Sequence, residues 1–418
     1  MLQSKLFTKT RKEAPADEVS KNAQLLIRAG FIHKEMAGVY DYLPLGLRVL
    51  NNICNIIREE MGAIGGQEVS LSHLQNPEIW KTTDRWDDIK VDNWFKTKLK
   101  NDTELGLGFT HEEPLTALLR EHVQSYRDLP IYPYQITSKF RNEMRAKSGI
   151  MRGREFLMKD MYSFTTNQEE LDNFHEKCAG AYMRIFDRFG IGERTYRTFA
   201  SGGVFSKYSD EFQTISESGE DSIFVSRKRR IAVNKEVCSD EVLTDLGLSR
   251  SELEEKKAIE VGNIFKLGTR FSEPLGFLYT DENGAKKPVI MGSYGIGPSR
   301  LMGTIAEVLS DEKGLVWPES VAPYKIHLVE ISAKEGKGVQ THAKKLYAHL
   351  VQEGIEVLMD DRELPAGQKF ADADLIGIPY RVVVSEKTMA SGKLELKNRA
   401  TGEVRRLSET ELYQYLNI

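Results

Sequence analysis

The sequence predicts an α+β protein in two parts: a strand-rich body with flanking helices, followed by a small α/β domain. Three observations carry this. Apolar residues recur at helical spacing in three long stripes, a strand–turn–strand unit lies between the second and third, and from Ala322 onward strands and helices alternate.

In the first stripe, Leu47, Leu50, Cys54, Ile57 and Met61 lie between Gly46 and Gly62 and mark an amphipathic helix. A second helix is expected from Pro114, with Leu115, Leu118, His122 and Tyr126 on one side. The third runs through Leu171, Phe174, Cys178, Tyr182, Ile185 and Phe189. Between the last two, Tyr132 to Met144 and Phe156 to Thr165 read as strands flanking a polar, Arg-rich turn. In the tail, a strand at Ile326 to Ile331 leads to a helix bearing Val339, Ala343, Leu346 and Leu350. A strand at Val357 to Met359, a helix around Phe370 to Ile376 and a strand at Arg381 to Val384 follow. Residues 316–323, opening Val316-Trp-Pro318, are expected to form a hinge.

Composition excludes several classes. The chain has 418 residues, 40% hydrophobic and 29% charged, which suits two or three globular domains rather than disorder. No apolar run is long enough to cross a bilayer, and the mixed-charge N-terminus has no apolar signal core, so a cytoplasmic enzyme without membrane partners is expected. Cys54, Cys178 and Cys238 are too scattered for a disulfide framework or a zinc site. The net charge of −4 neither advertises nor excludes a local path for RNA.

Three segments carry chemistry. In Thr137-Ser-Lys-Phe-Arg-Asn-Glu-Met-Arg145 and Arg152-Gly-Arg-Glu-Phe156, strand alternation puts Arg141 and Glu143 on one face. A guanidinium there holds a phosphate, Arg152 and Arg154 add charge, and Phe156 offers a ring to a purine; a surface hairpin laced with ion pairs is the alternative. Met291-Gly-Ser-Tyr-Gly-Ile-Gly-Pro-Ser-Arg300 opens a helix, where close backbone approach and Arg300 suit an anion; a plain glycine turn with a solvated arginine is the alternative. In Phe109-Thr-His-Glu-Glu-Pro114, Thr110 and Glu112 suit a substrate amine, or Thr110 caps the following helix. No Walker loop, GxSxG elbow or HExxH zinc motif is present.

Together these segments resemble the class II aminoacyl-tRNA synthetases. Arg141-x-Glu143 with Arg152-x-x-x-Phe156 looks like their second motif, and Gly295-Ile-Gly297-x-x-Arg300 like their third. Class I signatures are absent, Met389-Ala-Ser-Gly-Lys393 being only a poor echo. More narrowly, Tyr42-Leu-Pro-Leu-Gly46, Arg58-Glu-Glu-Met61, Thr110-His-Glu-Glu113, Met151-Arg-Gly-Arg-Glu-Phe-Leu-Met-Lys-Asp160, Glu260-Val-Gly-Asn-Ile-Phe265 and Asp360-Asp-Arg362 resemble the bacterial prolyl-tRNA synthetases over nearly the whole chain. A threonyl enzyme would carry a zinc site, and histidyl and glycyl enzymes fit these stretches poorly. A non-catalytic paralogue could lose Arg141, Glu143 or Arg300, whereas all three are present.

The resemblance implies a class II catalytic domain on an antiparallel sheet with flanking helices (residues 1–222 and 261–320). It also implies a short remnant at 223–260 in place of the family's editing insertion, and an anticodon-binding domain at 322–418. It implies ATP-dependent activation of L-proline to prolyl-adenylate and transfer to the 3′ end of tRNA(Pro). Arg141, Glu143 and Arg300 become the catalytic residues. Thr110, Glu112, Arg141, Ser293 and Gly295 bind proline; Arg141, Glu143, Arg152, Phe156, Gln213 and Arg300 bind ATP. Glu211, with Gln213, becomes the Mg²⁺ candidate, and no zinc is expected. A homodimer and a free-standing deacylase acting on mischarged alanyl-tRNA are the implied partners, because a proline pocket excludes alanine by only about 1–3 kcal/mol per methylene. Three single residues depart from the family pattern: Ser72 for proline in the first motif, Asp210 for a common histidine, and Ser293 for a common cysteine. The basic run Arg227-Lys-Arg-Arg230 reads as a solvated loop rather than an RNA contact.

Overall fold

The structure, a computed structural model, describes residues 1–144, 146, 148–202, 208–332 and 337–416. The chain divides into two compact units. One comprises Met36–Val39 and Ile53–Thr304; the other comprises Met1–Glu35, Tyr40–Asn52 and Ile305–Ile418.

The first unit is built on a nine-stranded sheet. Its strands are β1 (Gln67–Glu68), β2 (Pro133–Phe140), β3 (Glu155–Thr165), β4 (Thr195–Ser201), β5 (Tyr208–Ile215), β6 (Asp221–Ser226), β7 (Ile231–Asn234), β8 (Glu254–Gly268) and β9 (Ile290–Ile296). Their order is β5-β4-β7-β6-β8-β9-β3-β2-β1, with a further pairing of β5 to β8. All pairings are antiparallel except β7 with β4 and β1 with β2. The second β5 contact closes β5-β4-β7-β6-β8 into a ring around Tyr196, Ile223, Val225, Ala232 and Ala258, all buried.

The predicted helices are present, with two corrections. The first helix spans Pro44–Ala63. Leu50, Cys54, Ile57 and Met61 of its stripe are buried, but Leu47 is exposed. The second covers only Glu112–Arg120, so His122 and Tyr126 fall beyond its end. The third, Gln168–Arg188, starts at Asn167, whose side chain accepts from the Glu170 N–H, an N-cap that satisfies an otherwise orphan donor. It buries Leu171, Phe174, Cys178, Tyr182, Ile185 and Phe186 against the back of the sheet, where Tyr182 OH meets Lys159 Nζ at 2.6 Å and Phe174 meets Tyr294 edge-on. Each such fully buried large side chain contributes about 1.5–3 kcal/mol. That face is thereby sealed, leaving the alternate side chains of β3 and β9 to line the front.

In the second unit, the tail forms a five-stranded sheet, β10 (Ile326–Ile331), β11 (Val357–Asp360), β12 (Tyr380–Ser385), β13 (Leu394–Asn398) and β14 (Val404–Leu407), in the order β11-β10-β12-β13-β14. The first three are parallel and the last two antiparallel. Helices Lys337–Gln352 and Ala366–Ile376 match the expected ones, and β13, β14 and helix Glu409–Leu416 add to them. Val339, Ala343, Leu346 and Leu350 pack into the core formed with Ile326, Leu328, Val382 and Val384. The expected hinge is instead packed. Leu315 and Trp317 are buried, and their N–H groups donate to the carbonyls of Leu375 and Gly377. A segment that reads as a hinge is held by backbone bonds to a helix end some sixty residues later, which local pattern does not reveal.

Candidate active site

The front of the sheet in the first unit carries an open cleft with about 990 Å³ of unfilled space. Its floor follows from strand alternation. Phe156, Met158, Asp160 and Tyr162 project from β3, Ser293 and Gly295 from β9, and Asn263 and Phe265 from β8. Register aligns them in rows: Asn263 opposite Gly295 opposite Asp160, and Phe265 opposite Ser293 opposite Tyr162. A Cβ on Gly295 would lie 2.9 Å from Asn263 Oδ1, so the missing side chain keeps the floor low.

One end of the cleft is built for a cation. Thr110 Oγ1 donates to Glu112 Oε2 at 2.6 Å, and Arg85 Nη1 approaches the same oxygen at 3.3 Å. Oε1 faces Ser293 Oγ at the long distance of 3.5 Å and has no other hydrogen bond among the described residues. The capping alternative for Thr110 is thereby set aside. His111 is the N-cap, makes no side-chain cap bond, and the Thr110 hydroxyl is spent on a carboxylate.

Beneath this end lies a buried polar network. Lys139 Nζ contacts Asp160 Oδ1 at 2.8 Å and donates to His111 Nδ1 at 2.5 Å. Asp160 Oδ2 accepts from Gln135 Nε2 at 3.1 Å and from Tyr162 OH at 3.0 Å, and Tyr162 OH accepts the His111 N–H at 3.2 Å. Burial and the Lys139 charge push His111 down to about 4, so the ring is neutral at pH 7 and its Nε2–H donates to the Ser72 carbonyl at 3.1 Å. Burial works to raise Asp160, but the Lys139 ammonium holds it below the usual carboxylate range. Ser72, the departure in the first motif, thus serves through its backbone.

The other end is cationic. β2 ends at Phe140, so Arg141 and Glu143 lie just past the strand rather than on it. Arg141 sits 5.3 Å above the Phe156 ring, and its Nε and Nη2 reach the Phe109 carbonyl at 3.4 Å. Arg152 pairs with Glu143 at 2.9 Å and Glu220 at 3.1 Å. Arg300, in the first turn of helix Pro298–Leu309, donates to the Met151 carbonyl at 2.9 Å and to Glu260 Oε2 at 3.2 Å, so it is half-buried and held rather than solvated. Of the expected residues, Thr110, Glu112, Arg141, Glu143, Arg152, Phe156, Ser293, Gly295 and Arg300 line this one cleft.

Others do not. Arg154 turns away and donates to the Glu143 and Ala37 carbonyls. Glu211 and Gln213 stand on β5, beside the lining strand β8 and opposite Asn263 and Glu260, and are not among the lining residues. Gln213 is buried, its amide donating to Glu211 at 2.9 Å and Asp221 at 2.7 Å. Burial and the Glu260 charge push Glu211 up to about 8. Asp210 faces helix Gln168–Arg188, accepting from His175 at 2.8 Å and Arg197 at 2.7 Å. Arg227, Arg229 and Arg230 pair with Glu254, Glu252 and Glu193, which favours the solvated-loop reading. Arg145 lies outside the described residues. Asp160, Tyr162, Asn263 and Phe265 carried no assigned role in the sequence, although the alternation of their strands signals them; nothing local signals Arg85.

Comparison with known proteins agrees with this geometry. Residues 95–309 match the model of the tRNA synthetase class II core domain (G, H, P, S and T), and residues 323–417 match the anticodon binding domain. A proline–tRNA ligase of Zymomonas mobilis subsp. mobilis is 37% identical over 439 residues, covering 100% of this chain and 98% of that one. The Bacillus cytotoxicus proline–tRNA ligase is 33% identical over 565 aligned residues, covering 100% and 99%. In fold, the chain is similar to the Giardia lamblia prolyl-tRNA synthetase solved with prolyl-adenylate, at a TM-score of 0.77 and 18% identity over 93% of this chain and 74% of that one. It is likewise similar to the Cryptosporidium parvum enzyme solved with L-proline and AMP, at 0.75 and 18% over 95% and 74%. With this cleft, these two domains and relatives matched from end to end, the chain belongs to the prolyl-tRNA synthetase family of class II aminoacyl-tRNA synthetases.

Proposed function

We propose that this protein is a working proline–tRNA ligase, activating L-proline with ATP and passing the prolyl group to the 3′ end of tRNA(Pro). The observation that carries this reading is the gathering of these groups in one cleft. A carboxylate oxygen with little else to bind, Glu112 Oε1, stands at one end, and Arg141, Arg152 and Arg300 stand at the other.

In the first step a proline carboxylate oxygen forms a bond to the α-phosphorus as the bond to the bridging oxygen breaks, releasing pyrophosphate. The attacking group is already anionic, so the step needs alignment and charge neutralisation rather than a general base. Glu112 and Thr110 hold the imino nitrogen, Ser293 and Gly295 border the ring, and Arg141 bridges the proline carboxylate and the α-phosphate. Phe156 stacks the adenine, Glu143 contacts ATP, and Arg152 and Arg300 take the outer phosphates. These cations already pair with Glu143, Glu220 and Glu260, so ATP must displace or join carboxylates at each. Mg²⁺, when bound with ATP, neutralises phosphate charge. The carboxylate oxygens of Glu211 and Glu260 would hold such a cation, with Gln213 orienting Glu211, which burial first and the Glu260 charge second push up to about 8. Arg141, Glu143 and Arg300 remain the catalytic set.

The wider reading is a cytoplasmic homodimer with catalytic residues at 1–222 and 261–320 and an anticodon-binding domain at 322–418. No helix among the described residues is long and apolar enough to cross a membrane. Residues 223–260 stand in place of an editing domain. Alignment to the Bacillus cytotoxicus relative spans 565 positions against 418 residues here, which supports a large missing segment, so alanine is mischarged and cleared by a free-standing deacylase. The test is amino-acid-dependent ATP–pyrophosphate exchange over all twenty amino acids. Strong exchange with proline and weaker exchange with alanine are expected. No exchange at all would overturn the enzyme reading, and exchange led by another amino acid would overturn the substrate.

A further inference from the structure

Arg85 lies outside every motif of the reaction, yet it is a buried cation in direct contact with Glu112 at the amine end of the cleft. It is 6% exposed, and its guanidinium sits 5.5 Å from the Trp80 ring, 5.2 Å from Phe109 and 5.2 Å from Phe271. An arginine withdrawn from water into an aromatic cage stands only if its charge is answered. Here it is answered twice. Nη1 reaches Glu113 Oε1 at 3.0 Å and Oε2 at 3.1 Å, and Glu112 Oε2 at 3.3 Å. Thr83 Oγ1 donates to Glu113 at 2.8 Å, and Trp94 Nε1 donates to the Arg85 carbonyl at 2.9 Å, so the segment carrying Arg85 is itself fixed.

Two buried carboxylates, Glu112 at 2% and Glu113 at 0% exposure, contact the Arg85 guanidinium directly, and Arg270 acts on both at longer range. Burial pushes Glu113 up to about 7 against the pull of Arg85. Arg85 does not meet the two oxygens of Glu112 alike. Thr110 and Arg85 both hold Oε2 of Glu112, which turns Oε1 toward Ser293 and the cleft.

We propose that Arg85 is a positioning residue for proline recognition: from behind the pocket it clamps Oε2 of Glu112, so that Oε1 is aimed at the secondary ammonium of the substrate. This rests on the reading that Glu112 holds the imino nitrogen. The role is one of recognition, not of bond making. Arg85 is not among the residues lining the cleft, so its removal acts on amino-acid binding before it acts on turnover.

The test uses the full-length enzyme in ATP–pyrophosphate exchange, with Arg85→Met, Arg85→Lys and Glu112→Gln. A second probe is tetrahydrofuran-2-carboxylate, a proline isostere with ring oxygen for nitrogen, which offers the carboxylate without the cation. Arg85→Met is expected to raise the proline KM roughly 10- to 100-fold, the range for a lost charge-assisted contact. The ATP KM and the inhibition constant of the isostere should stay within about 3-fold. Arg85→Lys keeps charge without the fork and should fall between. It also carries the test if Arg85→Met does not fold, an unchanged proline KM in Arg85→Lys then overturning the inference. Parallel loss of isostere binding would show a collapsed pocket and reduce Arg85 to a structural residue. If Glu112→Gln raises the proline KM while Arg85→Met does not, only the positioning role fails. If Glu112→Gln leaves it unchanged, the imino-binding reading fails first and the inference with it.

Discussion

Replacing Lys139 with methionine removes an ammonium and keeps a side chain of similar length in a site with no exposure. What it leaves behind sets the magnitude. Asp160 keeps its bonds from Gln135 and Tyr162 on Oδ2 but loses the ammonium in contact with Oδ1, and His111 Nδ1 loses its donor. Removing one partner of a buried ion pair costs about 3–5 kcal/mol, because the surviving charge keeps its desolvation penalty. A second change, Asp160→Asn, removes that charge. The amide oxygen can still accept from Gln135 and Tyr162 while the buried charge is gone, so the double variant should recover more than half of the loss. Urea unfolding followed by tryptophan fluorescence is the assay, since Trp80, Trp86 and Trp94 lie in one cluster of the same unit. The deficit should also shrink with acid. In the wild type Asp160 is held low and stabilises above the carboxylate range; in Lys139→Met it is buried without a cation, its folded pKa rises, and stability falls as pH rises. A single-variant loss below about 1 kcal/mol at pH 7, or a double variant weaker than the single, would refute this account.

Three further outcomes follow from the same geometry. Arg141→Ala should lower proline-dependent exchange by at least 100-fold, about 3 kcal/mol of transition-state stabilisation, and near-normal exchange removes Arg141 from the mechanism. Gly295→Ala places a methyl in the cleft against the mobile end of Asn263, so the proline KM should rise several-fold while the melting temperature barely moves; an unchanged KM would put the substrate elsewhere. Asp210 is held at about 2 by His175 and Arg197 despite burial, so its charge contributes about 2 kcal/mol that is present above pH 4 and lost as pH falls through 2. Asp210→Asn should therefore be less stable at neutral pH, and its urea midpoint should meet the wild type only below about pH 2; a gap that persists there would assign the effect to packing.

What could be read in the sequence follows from how local each signal is. The stripe of helix Gln168–Arg188 and the alternation of β3 are set by neighbours three, four or two residues away, and both are realised. Arg141, Phe156 and Arg300 stood in recognisable company and meet in one cleft. Arg154 was credited with the same role because charge was visible and direction was not; two backbone carbonyls claim it. Arg85 could not be found, because its partners lie 27 and 28 residues away and only the fold brings them together. The counter-charges Glu220 and Glu260 were missed for the same reason, and they decide how much positive field ATP actually meets.

The short segment after β5 deserves a different name from remnant. Its two strands do not hang from the body: β6 pairs with β8, β7 pairs with β4, and the ring they close has its own apolar centre. Polar side chains of the same strands reach inward, Asp221 accepting from Gln213 and Asn234 donating to Glu211 at 3.3 Å. These are the bonds that orient the carboxylate proposed to meet the cation accompanying ATP. An unpartnered buried glutamate takes up a proton and ceases to be a ligand, whereas one held by amide donors has a reason to stay ionised once a cation arrives. The segment therefore closes the ring beside β8 and supplies a donor to Glu211, and its length matches the strands needed for that closure.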